Sequence, residues 1–270
     1  MMSVLACPVC QAALGRLERA WVCGNRHSFD ISRKGYVNLL LSHHKESKDP
    51  GDSAKMVEGR REFLNTGHYA KLAASLATVV SDLGAEIILD AGCGEGYFMR
   101  QLRTKLSGSA FIGIDISRHA IASAAKRDKA SVWIVASTFR LPILSQSVDC
   151  LLRIMAPGSD DEAWRVLTPR GHYVVVTPGP DHLYGLKQLI YASTDKNVSK
   201  LPSPPGFAVL RCEQVRFDLH LQGEDILRLL TMTPYYWSID TATRDRVERA
   251  EELMTPVDFY ISVLHKAALD

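Results

Sequence analysis

Residues 89–98 read LDAGCGEGYF, and this stretch decides the fold. An apolar run, EIILD (86–90), leads into it, and a helix should open behind it. Gly92, Gly94 and Gly96 alternate with side-chain-bearing residues, so the chain can turn tightly and bring its backbone close to a ligand. The helix start behind them favours an anionic group. At a separation of 25 residues from Asp90, Asp115 ends the next apolar run, FIGID (111–115). A carboxylate there can accept both hydroxyls of a ribose.

Outward from this loop the pattern stays α/β. VWIVAS (132–137), VDCLLRIM (148–155), HYVVVTP (172–178), VRFDLHL (215–221) and VDFYISVLHK (257–266) read as further strands. Helices are expected over 72–83, 119–127, 224–231 and 243–253, and a Pro- and Ser-rich loop over 193–206. Strands alternating with helices indicate a parallel, doubly wound sheet. Upstream, the turn KDPGDS (48–53) precedes a helix to about Leu64, capped by Asp52 or Ser53.

A dinucleotide fits the loop poorly. The glycines run G-x-G-x-G, Tyr97 follows the last one, and Glu95 would set like charge against a pyrophosphate. S-adenosylmethionine carries no phosphate, and its ammonium suits an acidic loop. Asp90, the alternating glycines and the strand-end Asp115 are similar to the pattern of class I methyltransferases. That likeness implies a Rossmann-like, seven-stranded sheet with the last strand antiparallel. Ser137 stands where many such enzymes carry an acid beside the adenine, which is a departure from the pattern.

The N-terminal segment has a different chemistry. Cys7, Cys10, Cys23 and His27 form C-x2-C-x12-C-x3-H, two short-spaced pairs suited to tetrahedral zinc. Residues 1–30 have too little apolar periodicity to fold unaided, so metal binding would supply the folding energy. With four protein ligands no position is left open for water, which makes the metal structural. Phe29, Arg33, Lys34 and Tyr36 follow; they suit either an RNA-reading surface or a solvated face around a core aromatic. Cys150 reads as a core residue.

Composition sets the outer bounds. The 270 residues carry a net charge of +2 and 46% hydrophobic residues, ordinary for a globular protein. A nucleic-acid partner would therefore need local clusters, and Arg26, Arg33, Lys34, Lys45, Lys48, Arg60 and Arg61 concentrate before residue 70. No signal peptide or membrane-length apolar run is evident, so a cytoplasmic protein with no membrane partner and reduced or metal-bound cysteines is expected. The organisation expected is a zinc module (1–35), a connecting helical segment (36–69) and a methyltransferase domain (70–270).

Taken together, CPVC…CGNRH, GYVNLL, DPGDSAKMVEGRREFLNTGHY, DAGCGEGY and TPGPDHL resemble the 23S rRNA guanine-N1-methyltransferases, with CGEGY and DPGDSA closer to the Gram-negative type. The resemblance runs to MTPYYW (232–237) and on toward the end. It implies methyl transfer from S-adenosylmethionine to N1 of a guanine in a hairpin of 23S rRNA, a zinc module that helps recognise RNA, and a homodimer. It implies zinc on Cys7, Cys10, Cys23 and His27. It also implies cofactor contacts from Tyr69, Cys93, Gly94 and His182, beside the Asp90, Gly92, Glu95 and Asp115 of the loop reading.

Methyl transfer to guanine N1 needs alignment of nucleophile, carbon and sulfur, an unpaired base, and loss of the N1 proton. RIMAPGSDDE (153–162) lies where the base should sit, with Pro157 and Gly158 shaping the pocket. Asp160, Asp161 and Glu162 are candidate acidic helpers or plain helix-dipole partners. No general base is assigned. Two rival functions are a small-molecule methyltransferase of the quinone or lipid type, which would lack the zinc module, and an inactive zinc and RNA adaptor, which would lack an intact Asp90–Asp115 pattern.

Overall fold

The computed structural model describes residues 4–42, 49–198 and 201–267. Lys45 and Lys48 lie outside the described residues. Leu14–Arg16 (β1), Ala20–Cys23 (β2) and Ser28–Asp30 (β3) form a small antiparallel sheet. Tyr36–Asn38 (β4) then joins a second, larger sheet. Its other members are Ile87–Ala91 (β5), Ala110–Asp115 (β6), Val132–Val135 (β7), Val148–Ile154 (β8), Leu167–Pro178 (β9), Phe207–Gln222 (β10) and Glu252–Lys266 (β11). The order is β10-β11-β9-β8-β5-β6-β7-β4. Neighbours from β4 to β9 are parallel, and β11 runs antiparallel to both β9 and β10.

All seven expected strands are therefore present, with β11 the antiparallel one. β4 adds an eighth at the edge, pairing Val37 with Ile134. The helices are Ala54–Asn65 (α1), Ala70–Ser81 (α2), Tyr97–Arg103 (α3), Arg118–Arg127 (α4), Asp160–Val166 (α5), Tyr184–Ile190 (α6), Glu224–Met232 (α7) and Thr241–Glu248 (α8). Ser53 caps α1, its Oγ accepting the Met56 N–H at 3.4 Å. The helix expected to run to 253 stops at Glu248, because β11 begins at Glu252 to pair with Gln222.

Side chains of the sheet alternate between two apolar layers, as the two-residue strand period requires. Ile88, Phe111, Trp133 and Leu152 pack against α2, α3 and α4. Leu89, Ile112, Ile114, Ile134 and Val175 share the other layer with Ala163 and Val166 of α5. Leu5, Leu14, Trp21, Val37 and Leu39 of the N-terminal segment complete that layer. The small sheet is thus no free appendage; it covers one face of the large one. A ladder of contacts holds it there: the Ala6 N–H donates to Pro142 O at 2.9 Å, Leu5 bridges Ile143, and the Leu144 N–H donates to Val4 O at 2.8 Å. Among the described residues no helix is long and apolar enough to cross a membrane.

Candidate active site and metal centre

The C-terminal ends of the parallel strands open into a cavity of about 450 Å3. Its floor is the glycine loop. Gly92 has φ +87°, and a Cβ there would stand 2.3 Å from the Ala156 Cβ. At Gly96, φ +77°, a Cβ would stand 2.5 Å from the buried indole of Trp133. The first glycine thus admits the loop after β8, and the third admits the core. The N–H groups of Gly92 and Cys93 both donate to Ile114 O, at 2.8 and 3.0 Å, which ties the loop to β6.

Asp90 carries the sharpest electrostatic signature. It is 1% exposed, and its Oδ1 has no hydrogen-bond partner. Burial, then the neighbouring Asp115, pushes its carboxyl up to about 8. A buried, unpartnered carboxylate oxygen in a cavity calls for a cationic ligand group, and an ammonium fits. Asp115 is also raised by burial, against N–H donors from Ser117 at 2.8 Å and Gly94 at 2.9 Å. Glu95 lines the cavity, but its carboxylate takes Arg100 and Arg127, each at 3.1 Å. The carboxyl groups left for a ligand are therefore those of Asp90 and Asp115 rather than that of Glu95.

All eight residues expected to contact the cofactor (Tyr69, Asp90, Gly92, Cys93, Gly94, Glu95, Asp115 and His182) line this one cavity. The Tyr69 ring sits between Phe63 and Phe259, at centroid distances of 5.4 and 5.7 Å, and its buried hydroxyl has no partner. It offers a ligand that hydroxyl rather than an exposed aromatic face. Burial pushes Cys93 well above its ordinary value, so its thiol stays neutral. Burial also pushes His182 down to about 4. Its Nδ1 accepts the Asp258 N–H at 3.4 Å, which leaves Nε2 to carry the ring proton.

Other cavity residues were not singled out for the cofactor by the sequence. Asp52 and Arg60 form a 3.0 Å ion pair on the rim. Met232, Thr233, Pro234 and Tyr235 close the far side. Gly59 lets α1 cross α7 closely; a Cβ there would lie 2.8 Å from Thr231 Oγ1. Two non-glycine residues on the wall hold left-handed backbone, Met155 at φ 51° and Leu183 at φ 55°. Such strain gathers at ligand sites. Thr138, not Ser137, reaches the cavity, because β7 ends at Val135 and the chain then turns.

The acids at 160–162 face elsewhere. Asp160 accepts from Arg153 at 2.9 Å and from the Tyr173 hydroxyl at 3.0 Å. Glu162 binds Arg165 and the Leu141 N–H, at 2.7 and 2.6 Å. Asp161 is exposed, and none of the three lines the cavity. Pro157 lines it and Gly158 does not.

The second centre is in the small sheet. The ligand atoms of Cys7, Cys10, Cys23 and His27 all lie within 4.8 Å of one another. His27 Nδ1 stands 3.6 Å from Cys7 Sγ and 3.4 Å from Cys23 Sγ, and the Cys10 and Cys23 sulfurs are 3.7 Å apart. Tetrahedral zinc with Zn–S near 2.3 Å spaces its ligands by roughly 3.5–3.8 Å, which these edges match. The Ala12 N–H and then the Asn25 side chain bring the Cys10 thiol down to about 6, toward the thiolate a metal binds. The four residues fit a structural zinc.

Comparison with known proteins agrees with both centres. A family model described as RlmA, N-terminal, a zinc ribbon, matches residues 5–48, and a methyltransferase domain model matches 88–171. The 23S rRNA (guanine(748)-N(1))-methyltransferase of Streptomyces fradiae is 31% identical over 245 residues, 87% of this chain and 86% of that protein. Proteins named as 23S rRNA (guanine-N(1)-)-methyltransferases from Micromonospora griseorubida and Bacillus subtilis are each 32% identical. The first pairing covers 88% of this chain and 88% of that protein; the second covers 93% and 92%. The fold is that of S-adenosylmethionine-dependent methyltransferases, and the chain belongs to the 23S rRNA (guanine-N1)-methyltransferase family.

Proposed function

We propose that this protein transfers a methyl group from S-adenosylmethionine to N1 of one guanine in a hairpin of 23S rRNA, acting as a cytoplasmic homodimer. The observation that carries the reading is the unpartnered, buried Asp90 oxygen in the cavity at the glycine loop, on a chain that also carries the four-ligand zinc ribbon. The sulfonium of the donor supplies an already activated methyl group. The protein's task is then alignment and exclusion of competing geometry. Asp90 would hold the ammonium, Asp115 would accept hydrogen bonds from the ribose hydroxyls, and the Tyr69 O–H and His182 Nε2–H would each offer a hydrogen bond into the cavity. Ile154, Met155, Ala156 and Pro157 form the wall against which the unpaired guanine lies. With none of the acids at 160–162 lining the cavity, the N1 proton leaves to solvent.

The division into ribbon (1–35), connector (36–69) and methyltransferase domain (70–270) is functional in this reading. The ribbon presents RNA, and the connector supplies β4 and helix α1, whose Arg60 and Leu64 line the cavity. Arg26, Arg33 and Lys34 are exposed and suit phosphate contacts, whereas Arg60 and Arg61 pair with Asp52 and Glu58.

The deciding experiment incubates purified protein with labelled S-adenosylmethionine and unmodified 23S rRNA, then maps the labelled nucleotide. One N1-methylguanine in a hairpin is expected. Cofactor binding without label in RNA would point to a small-molecule acceptor. Light scattering of the same preparation tests the homodimer.

A further inference from the structure

A second cavity, of about 230 Å3, lies between the zinc ribbon and the loop after β7. Pro8 and Gln11, which flank zinc ligands, form one wall; Leu40, Ser137, Phe139 and Arg140 belong to the others. Thr138 lines the catalytic cavity and its neighbour Phe139 lines this one, so a single turn of chain borders both. Phe139 is 60% exposed. A lone exposed phenylalanine is ordinary, but this one stands on a loop held from both sides. Glu162 accepts the Leu141 N–H at 2.6 Å, Arg165 donates to Leu141 O at 2.9 Å, and Pro142 O accepts from the ribbon's Ala6 at 2.9 Å.

We infer that this cavity is a second base pocket, in which an unpaired nucleobase next to the target guanine stacks on Phe139. The inference rests on the rRNA reading above and deepens it. A guanine entering the catalytic cavity carries its chain neighbours to the rim, and the turn at 137–140 is that rim. An aromatic face with amide, hydroxyl and guanidinium groups around it is the chemistry that takes a splayed base. The ribbon segment 4–42 carries five basic residues against two acidic ones, which suits the phosphates on either side. Zinc binding acquires a specific role here, since it fixes the wall that bears Pro8 and Gln11.

The test measures binding and methylation of a 23S hairpin by wild type, Phe139→Ala and Phe139→Trp, with zinc content and S-adenosylmethionine affinity as controls. Phe139→Ala is expected to weaken RNA binding about ten- to a hundredfold, Phe139→Trp to restore it, and both controls to stay at wild-type values. Hairpins with an abasic site beside the guanine should lose affinity for wild type but not further for Phe139→Ala. Wild-type RNA binding by Phe139→Ala would overturn the pocket while leaving the enzyme's function standing. A wild-type protein that neither binds nor methylates the hairpin would overturn the rRNA reading, and the pocket with it.

Discussion

The two cysteine turns of the ribbon and the glycine loop of the sheet are all tight turns through left-handed backbone, and they reach it differently. In the ribbon the left-handed residues are Gln11 at φ 61° and Arg26 at φ 63°. In the loop they are Gly92, Gly94 and Gly96, at φ 87°, 55° and 77°. A side chain in that region costs about 1–2 kcal/mol. Structural zinc contributes on the order of 10 kcal/mol or more, so the ribbon tolerates the strain. The loop has no metal to hold it, and Ala156 and Trp133 occupy the space a Cβ would need at Gly92 and Gly96. One turn is held by its ligands, the other by the absence of side chains.

Removing the metal should break the comparison most visibly. Cys23→Ser is expected to bring zinc content to background and abolish RNA methylation, while S-adenosylmethionine affinity largely survives; metal analysis and calorimetry on the full chain read both. Loss of cofactor binding to the same extent would mean the ribbon is needed for the whole sheet to fold. Gly92→Ala should do the converse, losing cofactor binding to the detection limit with zinc still bound. Retained binding would show that Ala156 moves aside.

Asp90→Asn is milder, expected to cost about 3 kcal/mol, roughly a hundredfold in cofactor affinity. The pH profile sharpens this. The Asp90 carboxyl, raised to about 8, is protonated below that pH, so binding an ammonium must release a proton. Affinity should therefore climb with pH up to about 8. It should fall above that as the ligand's amino group, ordinarily near 7.7–8.0, loses its charge. In Asp90→Asn the rising limb should vanish; a rising limb that persists would assign it to another group. By the same linkage, between about pH 4 and 8 Asp90 holds its proton in the folded, ligand-free protein and not in the unfolded chain, so its own contribution to stability declines with rising pH, offset below about 6.5 by the depressed His182. Arg26→Gly is the smallest test. Relief of its left-handed strain should raise stability by about 1 kcal/mol or less, read as a small rise in Tm with zinc bound.

Most of the sheet was legible because its strands are local apolar runs bounded by turns, and its antiparallel last strand was expected from the likeness to class I methyltransferases. Asp90, Asp115 and the glycine loop were legible as candidate cofactor contacts because they sit at strand ends or in one loop, whereas Tyr69 and His182 came to notice through the family resemblance. Asp52, Arg60 and residues 232–235 were not, since only the crossing of α1 over α7 at Gly59 brings them to the cavity. The strand β4 was missed because YVN is three residues long and gains its pairing from β7, far along the chain. Glu95 misled for a related reason: the arginines that neutralise it come from α3 and α4, at positions 100 and 127. The acids at 160–162 sit in the expected segment, yet none lines the cavity: Asp160 accepts from Arg153 and Tyr173, and Glu162 from Arg165 of its own helix and from the Leu141 N–H.

The pairing of Val37 with Ile134 has a consequence for synthesis. The ribbon leaves the ribosome first and can close on its metal before any of its landing face exists. Leu14, Trp21 and Val37 then wait for Ile112, Ile114 and Ile134 to be made. Metal capture precedes docking in that order of events. A chain made without zinc would reach the docking step with its ribbon still open, and its sheet would finish with one face uncovered.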